Sequence, residues 1–139
     1  MAINVTEATV KSLQALVHDA FEVNSTLDRV KTVMTTTLVY PIFGNLVHML
    51  AHKYSLDMGD GIGDLLEDYN EPVNYGNIPT HTENYSTIQD AIDKVYNMVL
   101  TYQNELNEAS KIALDNMDIH IMLFNNIQQP LINMYIHIF

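Results

Sequence analysis

Cysteine is absent from this sequence. Its absence excludes disulfide bonds, thiolate metal sites and cysteine nucleophiles. No apolar run approaches the ~20 residues that a membrane-spanning helix requires. The N-terminus also lacks the basic, apolar and small-residue pattern of a secretory signal. At 139 residues, with an ordinary apolar fraction of 47%, the chain is expected to form one domain in the cytoplasm, with no membrane partner.

Basic residues are also scarce. Six lysines and arginines stand against 17 acids, for a formal net charge of −11. Nucleic-acid binding depends on basic side chains that neutralise phosphates, so DNA and RNA are not expected as partners. An acidic surface attracts cations, either metal ions or a basic partner protein. Solubility alone explains the same charge equally well.

The positive signal is helical periodicity, and no strand pattern competes with it. Apolar residues recur at spacings of three and four, which is typical of amphipathic helices. Proline at position 41 suits the first turn of a helix and places a tight turn just before it. The sequence therefore predicts an all-α protein with four long helices. They cover about 6–36, 41–69, 86–115 and 118–139.

Three local features qualify these helices. The first helix is predicted to be continuous, although Ser25 followed by Asp28 resembles a capping box and leaves a break as the alternative. Three glycines predict a kink or break near residue 60 of the second helix, because glycine weakens a helix. Pro130 is expected to kink the last helix.

Loop lengths then predict the topology. Short turns make helices one and two antiparallel, and likewise helices three and four. The second helix is about 43 Å long, whereas the 16 residues of 70–85 reach at most about 55 Å. That segment can therefore carry the chain back along the whole bundle. Two antiparallel hairpins joined by one long crossover are the ferritin-like form of the four-helix bundle.

The stretch "HMLAHKYSLDMGDGIGDLLEDYNEPVNYGNIPTH", residues 48–81, resembles small ferritin-like proteins of bacteria. In those proteins an "AHK" segment on the second helix leads through "GD-L" to a crossover that contains tyrosine and proline. The resemblance covers about a quarter of the chain by motif and nearly all of it by helix layout. Similarity to ferritins proper implies iron oxidation and storage in a hollow shell, whereas similarity to DNA-protecting mini-ferritins implies a dodecamer.

The chain also departs from the family. Asn45 stands where the glutamate of the family's Glu-x-x-His pair would precede His48. The third helix offers Tyr102 and Leu106 to its apolar stripe where a carboxylate would be required. No lysine-rich tail is present for DNA. The departures leave any ferroxidase-type activity uncertain.

The best metal-ligating constellation contains His48, His52, Asp28 and Asp93. The two histidines are four residues apart and therefore share one helix face. Folding helix one against helix two brings Asp28 level with His48, and a parallel third helix brings Asp93 to the same height. His137 would lie nearby. The expected ion is iron; a site shared between subunits, or histidines that simply face water, are the alternatives.

Other polar pairs are interpreted as surface. His18 and Glu22 are predicted to lie on a solvated face, and Glu105 is predicted to be plain surface charge. Apolar residues outside the main stripes indicate a subunit contact and hence a homo-oligomer. They are Met49, Leu56, Met58, Ile132, Tyr135 and Ile138. Two functions follow: an iron-binding, iron-oxidising or iron-storing ferritin-like protein, or a metal-free ferritin-like bundle that acts as a structural or interaction module.

Overall fold

The computed structural model describes residues 5–73 and 75–118. Their regular structure is entirely helical, with no strand among them, which confirms the predicted all-α class. The helices are α1 (Glu7–Thr36), α2 (Pro41–Lys53), a π-helical segment (Tyr54–Asp60), α3 (Gly61–Asp68) and α4 (Ile88–Asp115). The predicted helix over 118–139, with Pro130 and His137, lies outside the described residues apart from Asp118.

α1 is continuous through Asn24 and Ser25, as its periodicity predicts. Thr26 supports this continuity because its hydroxyl donates to the carbonyl of Glu22 within the helix, 3.0 Å away. The capping box that would have started a second helix at Ser25 is therefore not used. One buried face runs along the whole helix, from Val10 to Met34.

A turn over residues 37–40 reverses the chain after α1. The backbone N–H of Tyr40 donates to the carbonyl of Met34 across the turn, at 2.8 Å. Val39 lies in the left-handed region, with φ of 57°, which a β-branched residue rarely adopts. Pro41 then opens α2 at its first turn, where its missing N–H costs nothing. α2 consequently packs antiparallel against α1.

α2, the π-helical segment and α3 follow one another without interruption and form one rod, here called rod two. Of the kink or break predicted near residue 60, the break does not occur, because the helix widens into a π-helix instead of ending. The widened segment brings Gly59 against α1, where an added Cβ would come within 2.7 Å of the Phe21 ring. Glycine is required there for close approach, not for flexibility. π-helical turns are rare and are frequent at functional sites.

The segment between Tyr69 and Thr87 has no helix or strand among its described residues and runs along α1. Near its start, Gln14 of α1 donates to the carbonyl of Pro72, at 2.9 Å. Near its end, Arg29 donates to the carbonyl of Glu83, at 2.7 Å. These contacts span about 22 Å at the usual helical rise per residue. The segment is therefore a crossover from one end of α1 towards the other.

α4 returns antiparallel to α1. The hydroxyl of Tyr102, midway along α4, donates to the carbonyl of Leu16 at 2.9 Å. Beyond the end of α4, Asp118 accepts hydrogen bonds from Thr6 and Thr9 at the start of α1. α2 and α4 each pack mainly against α1. They therefore run parallel to each other, in the order expected for a crossover connection.

The core between these helices is apolar. Its largest members are Tyr54 of the π-helical segment and Tyr102 of α4, whose rings meet edge to face with centroids 5.1 Å apart. Among the described residues, Thr9 and Thr26 are the only buried polar residues outside this pair of phenols. All described carboxylates therefore lie in grooves or on the surface. Within the same residues no helix combines the length and apolar character needed to cross a bilayer.

Candidate metal site

A groove runs between α1 and α4 and is bordered by the crossover at His81. It encloses a cavity of about 410 Å³. The floor is apolar where Val23 and Met98 meet the core, whereas one end of the groove is strongly acidic. The groove is lined by Asp19, Glu22, Val23, Thr26, His81, Lys94, Asn97, Met98, Thr101, Tyr102 and Glu105.

Four side chains at the acidic end, His18, Asp19, Glu22 and Glu105, are here called the acid cluster. Helical spacing brings three of them together, because residues four apart share a face and Asp19 adjoins His18. One ligand atom from each of His18, Asp19 and Glu22 lies within 4.8 Å of the others. All four side chains are half-buried.

Glu105 joins the acid cluster from α4. Partial burial raises the pKa of its carboxyl from an ordinary value of 4.5 to about 8, assisted by a hydrogen bond with Asp19 and by the negative charges of Asp19 and Glu22. The neighbouring His18 opposes this rise only weakly. At neutral pH Glu105 is therefore mostly protonated, and it is hydrogen-bonded to Asp19.

His18 connects the acid cluster to the crossover. Its Nδ1 lies 3.0 Å from Oδ1 of Asp19, and its Nε2 lies 3.4 Å from the carbonyl of Asn77. The hydrogen bond to Asp19 is the main reason why the pKa of His18 is raised. Gly76, with φ of 62°, fits closely over the ring, since an added Cβ would come within 2.6 Å of its Cδ2. His18 can ligate an ion only by releasing one of its two present partners.

The residues predicted to bind metal lie elsewhere, on α1, α2 and α4. His48 Nε2 is 3.0 Å from His52 Nε2, whereas His48 Nδ1 is 3.9 Å from Oδ1 of Asp28. Different ring nitrogens therefore face the two partners, and one ion cannot use all three side chains in this arrangement. Asp93 accepts a hydrogen bond from Gln89 on the exposed side of α4 and joins neither histidine. His48 is therefore close to both His52 and Asp28, whereas Asp93 lies apart from them.

The sequence interpretation missed the acid cluster by assigning its members to the solvated surface. One signal was present: His18, Asp19 and Glu22 offer three potential ligands within five residues of one helix. A second was the position of Glu105, three residues after the core residue Tyr102 and so at the edge of the buried stripe. Neither signal shows that α1 and α4 place these groups against each other.

The acid cluster offers three carboxyl groups and one imidazole. Oxygen and nitrogen donors of this kind suit divalent ions such as Fe²⁺ and Mn²⁺. The excess of negative charge favours a cation, and the open groove gives it access from solvent. Among the described residues, His18, Asp19 and Glu22 of this cluster are the only group of three or more such side chains close enough to share an ion, and Glu105 is not part of that group.

Comparison with known proteins adds no identification to this geometry. No protein-family model matches the chain, and no curated protein sequence matches it significantly.

Proposed function

We propose that this protein binds a divalent metal ion, with iron as the expected ion, at the acid cluster in the groove between α1 and α4. The observation that carries the proposal is the convergence of His18, Asp19 and Glu22, whose ligand atoms lie within 4.8 Å of one another, with Glu105 hydrogen-bonded to Asp19 from α4. Burial, assisted by the negative charges of Asp19 and Glu22, keeps Glu105 protonated, and a metal cation in place of that proton would neutralise the same carboxylates.

Metal binding at the acid cluster is expected to displace the proton of Glu105. Carboxyl ligands bind metal in their ionised form, so loading the site releases the proton of Glu105. Asp19, Glu22 and Glu105 would supply oxygen ligands, and His18 would supply a nitrogen after turning from Asp19 or from the crossover. The partly buried setting strengthens attraction to a cation relative to a fully exposed acidic patch.

The test is calorimetric titration of chelator-treated protein with Fe²⁺ under anaerobic conditions, repeated with redox-inert Mn²⁺. We expect one ion per chain and binding at least about tenfold weaker in Glu105→Gln, because one charged ligand is replaced by a neutral amide. The matched control is Glu108→Gln, which changes an exposed acid three residues further along α4 and should leave affinity unchanged.

A second variant separates this site from the one predicted from the sequence. Replacing His48 and His52 by alanine together should leave ion binding intact if the acid cluster is the site. Loss of binding in that double variant, with normal binding in Glu105→Gln, would move the site to α2. Failure of both ions to bind the unmodified protein in the micromolar range would refute the proposal.

The ferritin-like interpretation extends the proposal to fold and activity. The antiparallel α1 and α2, the long crossover and the return of α4 antiparallel to α1 support it. A ferritin-like four-helix bundle further requires the fourth helix predicted over 118–139. Oxidation and storage of iron are the stronger form of the hypothesis. They are tested by following Fe²⁺ consumption in air, with Glu105→Gln expected to slow it.

A metal-free interaction module is the second candidate. Exposed apolar side chains on rod two favour it, because they are not needed for the packing of the described helices. Elemental analysis of freshly purified protein, paired with its solution mass, distinguishes the candidates. Bound iron supports the first, whereas metal-free protein after iron loading supports the second.

A further inference from the structure

The outward face of rod two carries a regular stripe of five exposed residues, here called the seam. The seam consists of Ile42, Asn45, Met49, His52 and Leu56, and every one of them is exposed. Their spacings alternate three, four, three, four, which is the repeat of the contact face in a coiled coil. The three apolar members are exposed by 75%, 62% and 58% in chain order.

The seam is separate from the face that folds the protein. Val47, Leu50, Tyr54 and Met58 lie on the opposite side of rod two and are almost completely buried. The expectation that Met58 belongs to a subunit contact is therefore wrong, whereas Met49 and Leu56 remain available for one. Rod two is therefore apolar on two faces, of which only one packs against the rest of the described chain.

Exposed apolar residues concentrate around the seam. Eleven large apolar side chains are exposed in the described part of the chain, and six of them fall within residues 39–56. Besides the three in the seam, they are Val39, Tyr40 and Phe43, at the turn that opens rod two. Single exposed apolar residues are ordinary, whereas a contiguous group of this kind marks an interaction surface.

The charge distribution indicates that the partner that binds the seam is a second copy of the chain. Residues 29–56 contain none of the 17 acids but three of the six basic residues, namely Arg29, Lys31 and Lys53. Two copies of a chain with net charge −11 repel each other wherever their acidic faces meet. Surface charges interact over a screening length of about 8 Å at physiological ionic strength. The seam itself carries no acid, so two copies meet less repulsion through it than through an acidic face, with Asp28 and Asp57 at its borders beside His48 and Lys53.

We propose that the seam is the interface of a homodimer, in which rod two of one copy packs along rod two of the other. A helix with the same repeat fits the seam best, and a second copy always supplies it. Met49 lies at the middle of the seam. If the two seams pair along their whole length, the twofold axis passes beside Met49, whether the two rods run parallel or antiparallel. Asn45 and His52 are polar members that restrict the register.

The absence of cysteine permits a direct test by cross-linking. Met49→Cys introduces a single thiol at the proposed axis, and mild oxidation should convert most of the protein to a disulfide-linked dimer. Leu114→Cys is the matched control, because Leu114 of α4 is similarly exposed, at 51%, and should form little disulfide-linked dimer. Equal dimer yields from both variants, or none from Met49→Cys, would overturn the proposal.

Sedimentation velocity tests the same interface without cross-links. The unmodified protein should sediment with twice the chain mass of 15.8 kDa at micromolar concentrations, whereas Met49→Glu and Met49→Lys should each weaken association at least about tenfold. An equimolar mixture of the two variants should recover the dimer, because opposite charges then meet at the axis.

Three results would contradict the inference. The first is a monomer at all concentrations, as expected if another part of the same chain, such as residues 119–139, covers the seam. The second is a dimer that Met49→Glu leaves intact, which would place the contact on another face. The third is failure of the mixture to recover the dimer although circular dichroism shows that both variants remain helical. The inference does not depend on metal binding, because the acid cluster lies on other helices.

Discussion

Glu105→Gln should make the protein more stable at alkaline pH. The folded protein holds a proton on Glu105 up to about pH 8, whereas the unfolded chain releases it near pH 4.5. Between these values the folded state binds more protons than the unfolded state, so its stability falls as pH rises. Glutamine keeps the shape of the protonated carboxyl group and cannot ionise. The variant should therefore lack this part of the decline.

The structure bounds the size of the effect. The full pKa difference would correspond to about 5 kcal/mol. Glu105 is only half-buried, so solvent screening reduces the expected effect to about 1–2 kcal/mol. At pH 8 the melting temperature of Glu105→Gln should be about 3–8 °C higher than that of the unmodified protein. At pH 5 the two melting temperatures should be nearly equal.

The assay is urea unfolding followed by circular dichroism at pH 5, 6.5 and 8, with metal removed by chelation. The informative quantity is the difference in unfolding free energy between variant and unmodified protein at each pH. His18 also has a raised pKa, and the stability from its hydrogen bond to Asp19 is likewise lost as pH rises. That contribution is present in both proteins and largely cancels. Glu108→Gln provides the control for loss of a surface charge.

A pH-independent difference would refute the reasoning, because it would mean that Glu105 ionises normally in the folded protein. A variant that becomes less stable relative to the unmodified protein as pH rises would refute it as well. In either case Glu105 would not be held protonated at neutral pH, and one support for metal binding at the acid cluster would be lost.

Two further predictions concern the core and the first turn. Tyr102→Phe should lower the unfolding free energy by about 1–2 kcal/mol in urea titration, because the carbonyl of Leu16 loses its buried donor. Tyr54→Phe should cost nothing or stabilise slightly, since the buried Tyr54 hydroxyl has no partner in the described part of the chain; equal losses in both variants would contradict this contrast. Val39→Asn should raise thermal stability by about 1 kcal/mol, because asparagine tolerates the left-handed backbone of the turn. A lowered melting temperature would argue against strain at that position.

The fold could be predicted from the sequence as far as local patterns determine it. Helical periodicity predicts α1 and α4 to within two residues of their observed ends, and Pro41 marks the start of α2. The length of segment 70–85 predicts that it can run beside the bundle. The π-helical segment could not be predicted, because it accompanies the close approach of Gly59 to Phe21, which belongs to a different helix.

The outcome of the metal-site prediction depends on the length of the connection between the helices. A short turn determines which residues of two helices lie level, whereas a long connection does not. Asp28 and His48 are equally distant from the turn at residue 38, so helix antiparallelism alone places them level, and they lie 3.9 Å apart. Asp93 follows a long crossover, which determines neither the height nor the rotation of α4. The same uncertainty hid the contact between Glu105 and Asp19. Pairing across distant helices depends on packing that no single sequence pattern encodes.

The two proposed properties, metal binding and dimerisation, depend on parts of the molecule that differ in charge. The acid cluster collects carboxyl groups where α1 meets α4, whereas the seam lies within a stretch of the chain that has no acid at all. A dimer formed through rod two would therefore leave the groove between α1 and α4 open to ions. Metal binding and dimerisation are consequently compatible, and each can be removed by substitution without directly altering the residues of the other.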